Sequence, residues 1–493
     1  MADQDQLKKL VNRRHPLYES RVKHWRFLEM CYEGGRDWFP DNIFKYIKEG
    51  EKEYENRLER AYRFNHSREI VDLVNKYIFK MAIYRSEDAP PQLMSFWKEA
   101  TKNKLDIREF MRQASQKSST YGRVWCVIDS TNTNQVISRA EERDNEARIY
   151  AYLVTPEHVL DYSFDDVGEL NWILIHEIYR DDENPLTSSG NQIDRFRLWD
   201  REGWTLIEKS VNGRKVTYSI IDQGEHNLGL VPAVPIDNTI TDEPYDAPSL
   251  IGDIAYLDRA NANYLSNLDA IIQDQTFSQL AMPAQGMLPG DDKYDQLLEM
   301  GTKRIFTFDG EHGAMPFYLS PDVKQAQVIL EVINKIINEI YHTVGMAGER
   351  TKEDNAVGID NSSGVAKAYD FERVNALLAS KADSLELAEN KIAKVVMAWY
   401  SRDYPEDLVH YPESFDVRGL YDEFDIASKL ALLEAPDMLR REQMKSVVEK
   451  LFPTLKKELK DKIFDEIDKD WPPELELAES MTPPNSGGSQ SSE

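Results

Sequence analysis

The sequence predicts an α+β chain, mainly helical, built around one long helical hairpin. Three observations predict it. Apolar residues recur at three- and four-residue steps from Ser249 to about Ala281 and again from Pro321 to Gly345. A stretch rich in Pro and Gly separates the two runs, and residues 121 to 236 change from a helical period to the alternation of β strands.

In chain order, residues 17 to 33 read as a helix with Leu17, Trp25, Leu28 and Tyr32 on one side, stopped by Gly34-Gly35. A charged helix is expected over Ile43 to Tyr62 and an apolar-faced one over Arg68 to Met81, where Ile70, Val71, Val74, Tyr77 and Ile78 repeat. His66 and Arg68 beside Asn65 read as solvated or capping residues before that helix. After Pro90-Pro91, two more helices are expected at Leu93 to Lys102 and Ile107 to Ser119. Strands follow at residues 124–129, 149–154, 170–179, 195–200, 204–210 and 215–221, with turn signals at Asp200 to Gly203 and at Asn212-Gly213. This makes a mostly antiparallel β region between two helical ones.

The first hairpin run carries Leu250, Ile254, Leu257, Tyr264, Leu268, Ile271 and Ile272 as its stripe, and Asp253, Asp258, Asn263, Asn267, Asp269, Gln273 and Asp274 on faces that need water or polar neighbours. As one helix it would span roughly 50 Å, so it needs neighbours along its length. The second opens with Ser320-Pro321-Asp322, a cap followed by proline at the first helical position, and closes at Gly345. Between them, strands are expected at Arg304 to Phe308 and Met315 to Leu319. So small a lobe has too little core to stand alone and is expected to pack against other subunits. Beyond the hairpin, residues 347 to 361 hold few large apolar groups and both charge signs, with turn makers at Gly348, Gly358 and Gly364, and read either as an ordinary exposed connection or as a working loop.

A chain of 493 residues with 41% hydrophobic residues, nine Trp, 24 Tyr and 18 Phe can fill real cores, which excludes a disordered protein. No apolar run reaches membrane-spanning length and residues 1 to 15 hold no apolar segment, so neither a membrane anchor nor a secretory signal is expected. Cys31 and Cys126 lie in apolar runs and read as buried free thiols. With 60 basic against 87 acidic residues the formal charge is −27, which disfavours wrapping nucleic acid through its phosphates; only if the chain forms a channel would the same repulsion be of use, keeping passing DNA from sticking.

Enzyme motifs are missing. There is no Walker-type phosphate loop, since Gly301-Thr302-Lys303 lacks the glycines before it, and no H-E-x-x-H, C-x-x-C or G-x-S-x-G. The nine His are scattered without metal-ligand spacing. Asp253 and Asp258 are five residues apart, about 140° around a helix, and so form no acid/base pair on one face. The chain is therefore expected not to be an enzyme, although a site assembled in space stays open, as does a long-helix scaffolding protein of another assembly.

The run Leu228-Gly229-Leu230-Val231-Pro232-Ala233-Val234, then Ser249-Leu250-Ile251-Gly252-Asp253-Ile254 opening a long helix, a Pro/Gly-rich insertion, a return helix, a polar loop and Ser363-Gly364 opening a very long helix resembles the portal protein of a tailed bacteriophage, the head-to-tail connector family. The resemblance implies a layout. Residues 1–248 would be an N-terminal wing (helical over 17–119, β-rich over 121–236), 249–281 and 320–345 the two stem helices, and 282–319 the clip. Residues 346–363 would be the tunnel loop, 364–420 the long wing helix and its return, 421–471 the crown and 472–493 a disordered tail. The charged segment 36 to 64 finds no place in that layout.

The resemblance also implies a homo-oligomeric ring, a dodecamer, at one capsid vertex of the virion. Double-stranded DNA would be packaged and ejected through it; the large terminase packaging motor, the head-tail adaptor and the major capsid and scaffolding proteins would be its partners. It implies no cofactor, no metal and no membrane. The candidate DNA-tunnel contacts are Arg350, Lys352 and Asn355, and the candidate channel-lining acids Asp253, Asp258, Asp269 and Asp274. Lys303, Arg304, Phe306 and Phe308 are the candidates for the clip interface, though two bases in a turn also serve solubility alone.

Overall fold

The computed structural model describes residues 4–130, 148–243, 245–276, 279–283, 305–308, 315, 317–319, 323–345, 364–405, 407–413, 415, 437–451 and 457–470. The chain forms two compact units, Met1–Glu413 and Ser414–Glu493. The fold is α+β, as the residue periods predict. Among the described residues no helix is long and apolar enough to cross a membrane.

The first unit opens with seven helices: α1 (Gln4–Val11), α2 (Tyr18–Glu33), α3 (Trp38–Asn42), α4 (Glu51–Arg60), α5 (His66–Lys80), α6 (Pro91–Lys98) and α7 (Ile107–Tyr121). Their starts reflect local chemistry. Asn65 Oδ1 accepts from Arg68 N at 3.0 Å and Asp106 Oδ1 from Glu109 N at 2.8 Å, each satisfying a free N–H of a first turn. The helix expected over 43 to 62 is shorter, α4 alone, because Ile43 leaves α3 in an extended conformation and Gly50 enters α4 the same way.

Strand β1 (Tyr84–Arg85) pairs with β13 (Val409–His410), tying the connection between α5 and α6 to the C-terminal end of this unit. Strand β2 (Arg123–Ser130) lies between β3 (Ile149–Val154) and β9 (Ala233–Asp237), and its unbroken apolar run Val124–Ile128 is fully buried. An antiparallel meander in chain order, β4 (Val159–Phe164), β5 (Leu170–Arg180), β6 (Gln192–Asp200), β7 (Gly203–Asn212) and β8 (Lys215–Glu225), forms the larger sheet. Gly213, with φ +63°, makes the tight turn between β7 and β8. Trp125, Trp199, Ile173, Ile207 and Tyr162 centre the core of this region, and Cys31 and Cys126 are buried free thiols.

Strands β4 and β9 are additions to the expected set. β9 carries Pro235, which argues against a strand on sequence, yet it occupies a sheet edge, where a missing N–H breaks no ladder.

The hairpin comes next. Its first helix (Ile254–Thr276) begins five residues later than the apolar pattern suggests. Ser249 hooks the chain onto the end of α7 first: its Oγ donates to Thr120 O at 2.7 Å, and Leu250 N bonds Ser119 O at 3.0 Å. The expected helix end at Ala281 is corrected too, since Gln279–Pro283 is strand β10, central between β11 (Ile305–Phe308), parallel to it, and β12 (Phe317–Leu319), antiparallel. The return helix (Val323–Thr343) packs back along the first, with Leu265 and Leu268 against Ile333 and with Ala326, Ile329 and Ile337 around them. A 36-residue long helix (Gly364–Trp399) then lays Leu378, Ala382, Leu385, Ile392 and Val396 into the core.

In the second unit, helices Asp437–Leu451 and Lys457–Asp470 are joined by Lys445, whose Nζ reaches Asp468 Oδ1 at 2.8 Å. Residues 421–436, the first part of the expected crown, and the expected tail at 472–493 lie outside the described residues.

Candidate functional site

Among the described residues the hairpin carries two long helices and a small sheet away from the main core, and its geometry is set by how its base is held. The charged segment 36 to 68 lies against the first hairpin helix and meets it with polar groups. Arg57, itself buried, donates from Nε and Nη2 to both oxygens of Glu49 at 2.8 and 2.7 Å, from Nη2 to Phe44 O at 2.8 Å and from Nη1 to Ser266 Oγ at 2.9 Å. The Arg57 guanidinium holds the Glu49 carboxyl below its usual range. Asn263 closes the same joint, its Oδ1 accepting from Phe44 N and its Nδ2 donating to Asn42 O, both at 2.9 Å. Arg60 pairs with Asp269 at 3.2 Å nearer the surface.

Deeper in the joint, Asp258 is fully buried. Its Oδ2 accepts from Ser67 Oγ at 2.8 Å and Ser67 N at 3.2 Å, with Arg63 Nη2 3.8 Å away. Arg63 stacks over Trp38, its guanidinium 4.2 Å from the ring centroid, and donates to Cys31 O. Two charges so far from water persist only when paired and bonded, so this cluster fixes where the first hairpin helix leaves the body.

The far end of the return helix is pinned as well. Tyr341 OH donates to Glu69 Oε2 at 2.5 Å and lies 3.2 Å from His66 Nδ1. His66 is 1% exposed, so the expectation of a solvated loop histidine is corrected: it is the first residue of α5, packed against the return helix. Gly345 comes after it at φ +74°, where a Cβ would stand 3.0 Å from Arg373 Cβ. Only a residue without a side chain fits this exit comfortably.

The long helix is locked into the body by two buried ionisable groups. Lys381 Nζ donates to Ser118 Oγ at 2.6 Å, and burial lowers its pKa to about 7. Glu389 takes both Arg85 Nε at 2.6 Å and Tyr411 OH at 2.8 Å.

The expected site residues separate. Asp253 is exposed at the start of the first hairpin helix and Asp269 is half-buried against Arg60, while the side chain of Asp274 lies outside the described residues. Asp258 is corrected: fully buried on Ser67 and Arg63, it faces the protein and not an open wall. Arg350, Lys352, Asn355, Lys303 and Arg304 lie outside the described residues; the backbones of Phe306 and Phe308 pair in β11 with Ala281 and Pro283. Sequence reasoning missed Arg57, Arg63 and Ser67, whose signal was the concentration of arginines at 57, 60 and 63 opposite a helix whose polar faces lacked partners.

Both hairpin helices also show apolar side chains to solvent, Tyr264 and Ile272 on the first, Val328 and Leu330 on the return helix. Ile272 is 47% exposed and Val328 58%, on helices already packed along another side.

No protein-family model matches the chain, and no curated protein does. Among solved structures it is similar to a chain from the neck of an empty gene transfer agent particle, at 11% identity over 75% of this chain and 90% of that one, with a TM-score of 0.37. It is similar also to a chain from the virion of a native gene transfer agent particle, at 9% identity over 83% of this chain and 99% of that one, with a TM-score of 0.37. Likeness at that level assigns no family.

Proposed function

We propose that the chain is a portal-type subunit of a phage-like particle, a ring component that conducts double-stranded DNA and performs no chemistry. The observation that carries this reading is the hairpin itself: two long helices on a rigid polar joint, tipped by a three-stranded sheet and bearing outward apolar side chains on both helices. An exposed Ile272 or Val328 is ordinary singly, but repeated along a hairpin such residues suit burial against neighbouring copies. One heterologous contact repeated around an axis closes a ring and buries each hairpin between two others.

On this reading the tip sheet docks the packaging motor and then the adaptor, and the 346–363 connection faces the passing duplex. The excess of acids, with a formal charge of −27 per chain, keeps phosphates from adhering. Dodecameric closure, the terminase partner and the portal vertex belong to this proposal and rest on the ordered layout of helices, insertion and loop.

Sedimentation velocity tests it. The intact chain, alone or with scaffolding and capsid proteins, is expected to sediment as a closed oligomer, and Ile272→Glu with Val328→Glu is expected to return it to monomer while its far-ultraviolet circular dichroism is unchanged. An intact chain that stays monomeric under every one of these conditions contradicts the proposal.

A further inference from the structure

The outer side of the first hairpin helix carries an arginine without an acid. Arg259 is half-buried, its guanidinium lying 4.6 Å from the ring centroid of Phe27, 5.1 Å from that of Tyr256 and 5.4 Å from that of Phe44. Among the described residues this guanidinium makes no hydrogen bond or ion pair, although acids outnumber bases 87 to 60 along the chain. The aromatic rings hold it in place, and its N–H edge stays ready for a carboxylate. Tyr256 and Phe44 are themselves exposed, and the loop that brings Phe44 also carries Tyr46 and Ile47, the latter 98% exposed. An arginine among exposed aromatic rings is the composition of an interface centre.

We propose that Arg259 of one copy takes the carboxylate of Glu339 of the next. The inference rests on the ring reading, with the hairpin standing along the ring axis. An arginine fork pairs with any carboxylate or phosphate, so the choice comes from position. Leu268 faces the return helix; Arg259, nine residues or about two and a half turns before it, faces away. On the return helix Ile333 faces inward, and Glu339, six residues on and about 240° around, is exposed and makes no ion pair among the described residues. The two helices run in opposite directions, with Leu265 packed on Ile333. Six residues from each toward the base, about 9 Å, reach Arg259 and Glu339, which therefore stand at nearly one height on opposite outer sides. Rotation about an axis preserves height, so a ring that sets one copy's first helix beside the next copy's return helix brings the two level. Ile272 and Val328, seven and five residues from the same pair toward the tip, come within about 3 Å of one height in the same way. One registration thus joins an ion pair and an apolar pair, with the rings of Phe44 and Tyr256 keeping water from the ion pair.

The test is a charge exchange, read by sedimentation velocity of the full chain under the conditions in which the intact chain assembles. Arg259→Glu and Glu339→Arg are each expected to weaken assembly at least tenfold, and the double variant Arg259→Glu/Glu339→Arg to recover it to within threefold of the intact chain. Glu339 is exposed, so its variant reads the contact with the aromatic cluster around Arg259 intact. If the intact chain assembles and the Glu339→Arg chain assembles equally well, or the double variant stays apart, the contact is overturned and the ring reading stands. An intact chain that stays monomeric even beside scaffolding and capsid proteins overturns the ring reading and this contact together.

Discussion

Lys381 Nζ sits 2.6 Å from Ser118 Oγ with the lysine wholly enclosed between the long helix and α7. Asp237, the acid that acts on this ammonium, is held by Arg123 at 2.6 Å, so the ammonium form has little to compensate its loss of water.

This enclosure makes stability depend on pH. Unfolded, the lysine titrates at its ordinary value of 10.5; folded, burial lowers that to about 7. Between those values the unfolded chain binds the extra proton, so the folded state gains stability as pH rises from about 7, and that gain is absent below about 7, where both states hold the proton. Urea midpoints at pH 7, 8 and 9 are expected to climb, and Lys381→Met is expected to flatten the climb. Equal slopes for the two chains would contradict the assignment.

The joint at the base of the hairpin makes a second prediction. Asp258→Ala leaves Arg63 buried without its acid and Ser67 without its acceptor, and is expected to cost about 3–5 kcal/mol, the range for breaking a buried pair by removing one partner. Replacing Asp269 by alanine, at the more open Arg60 pair, is expected to cost about 1 kcal/mol or less. Denaturant unfolding monitored by far-ultraviolet circular dichroism measures both.

Within the hairpin, Leu268→Ala removes a side chain from the small cluster with Leu265 and Ile333. A cost of about 2–5 kcal/mol is expected for a buried leucine truncated in this way. Because that cluster serves only the two hairpin helices, hydrogen exchange should quicken over 254–276 and 323–343 while the β meander keeps its protection; uniform acceleration would show that hairpin and body unfold together.

The fold is largely legible wherever one face of an element carries the apolar signal. Six strands between residues 123 and 225, β2 by its unbroken apolar run and several of the others by alternation, and the three long helices, are set by their own patterns. What is not legible comes from pairings across the chain. Helix pattern at 249–253 yields to the hook of Ser249 on Ser119 and Thr120, and Pro235 is allowed in a strand only because its strand is an edge. For the site, a polar residue on a helix reads the same whether water or an arginine from 200 positions away satisfies it. Asp258 reads as a wet acid on sequence because its partners, Arg63 and Ser67, are far off along the chain.

Function at the connection makes a fourth prediction. A deletion of residues 349–360, which removes Arg350, Lys352 and Asn355 together, is expected to leave assembly unchanged and to reduce packaged or retained DNA in a packaging assay. Loss of the assembly itself would count against a tunnel role for this loop.

The central claim, a ring subunit, is tested most directly by negative-stain imaging and mass measurement of the purified 57.1 kDa chain, alone and with scaffolding and capsid proteins, at two salt concentrations. The account predicts a closed ring whose central channel is wide enough for duplex DNA, with mass an integral multiple of the chain. A species that remains a compact monomer at both salts, even beside scaffolding and capsid proteins, would contradict it.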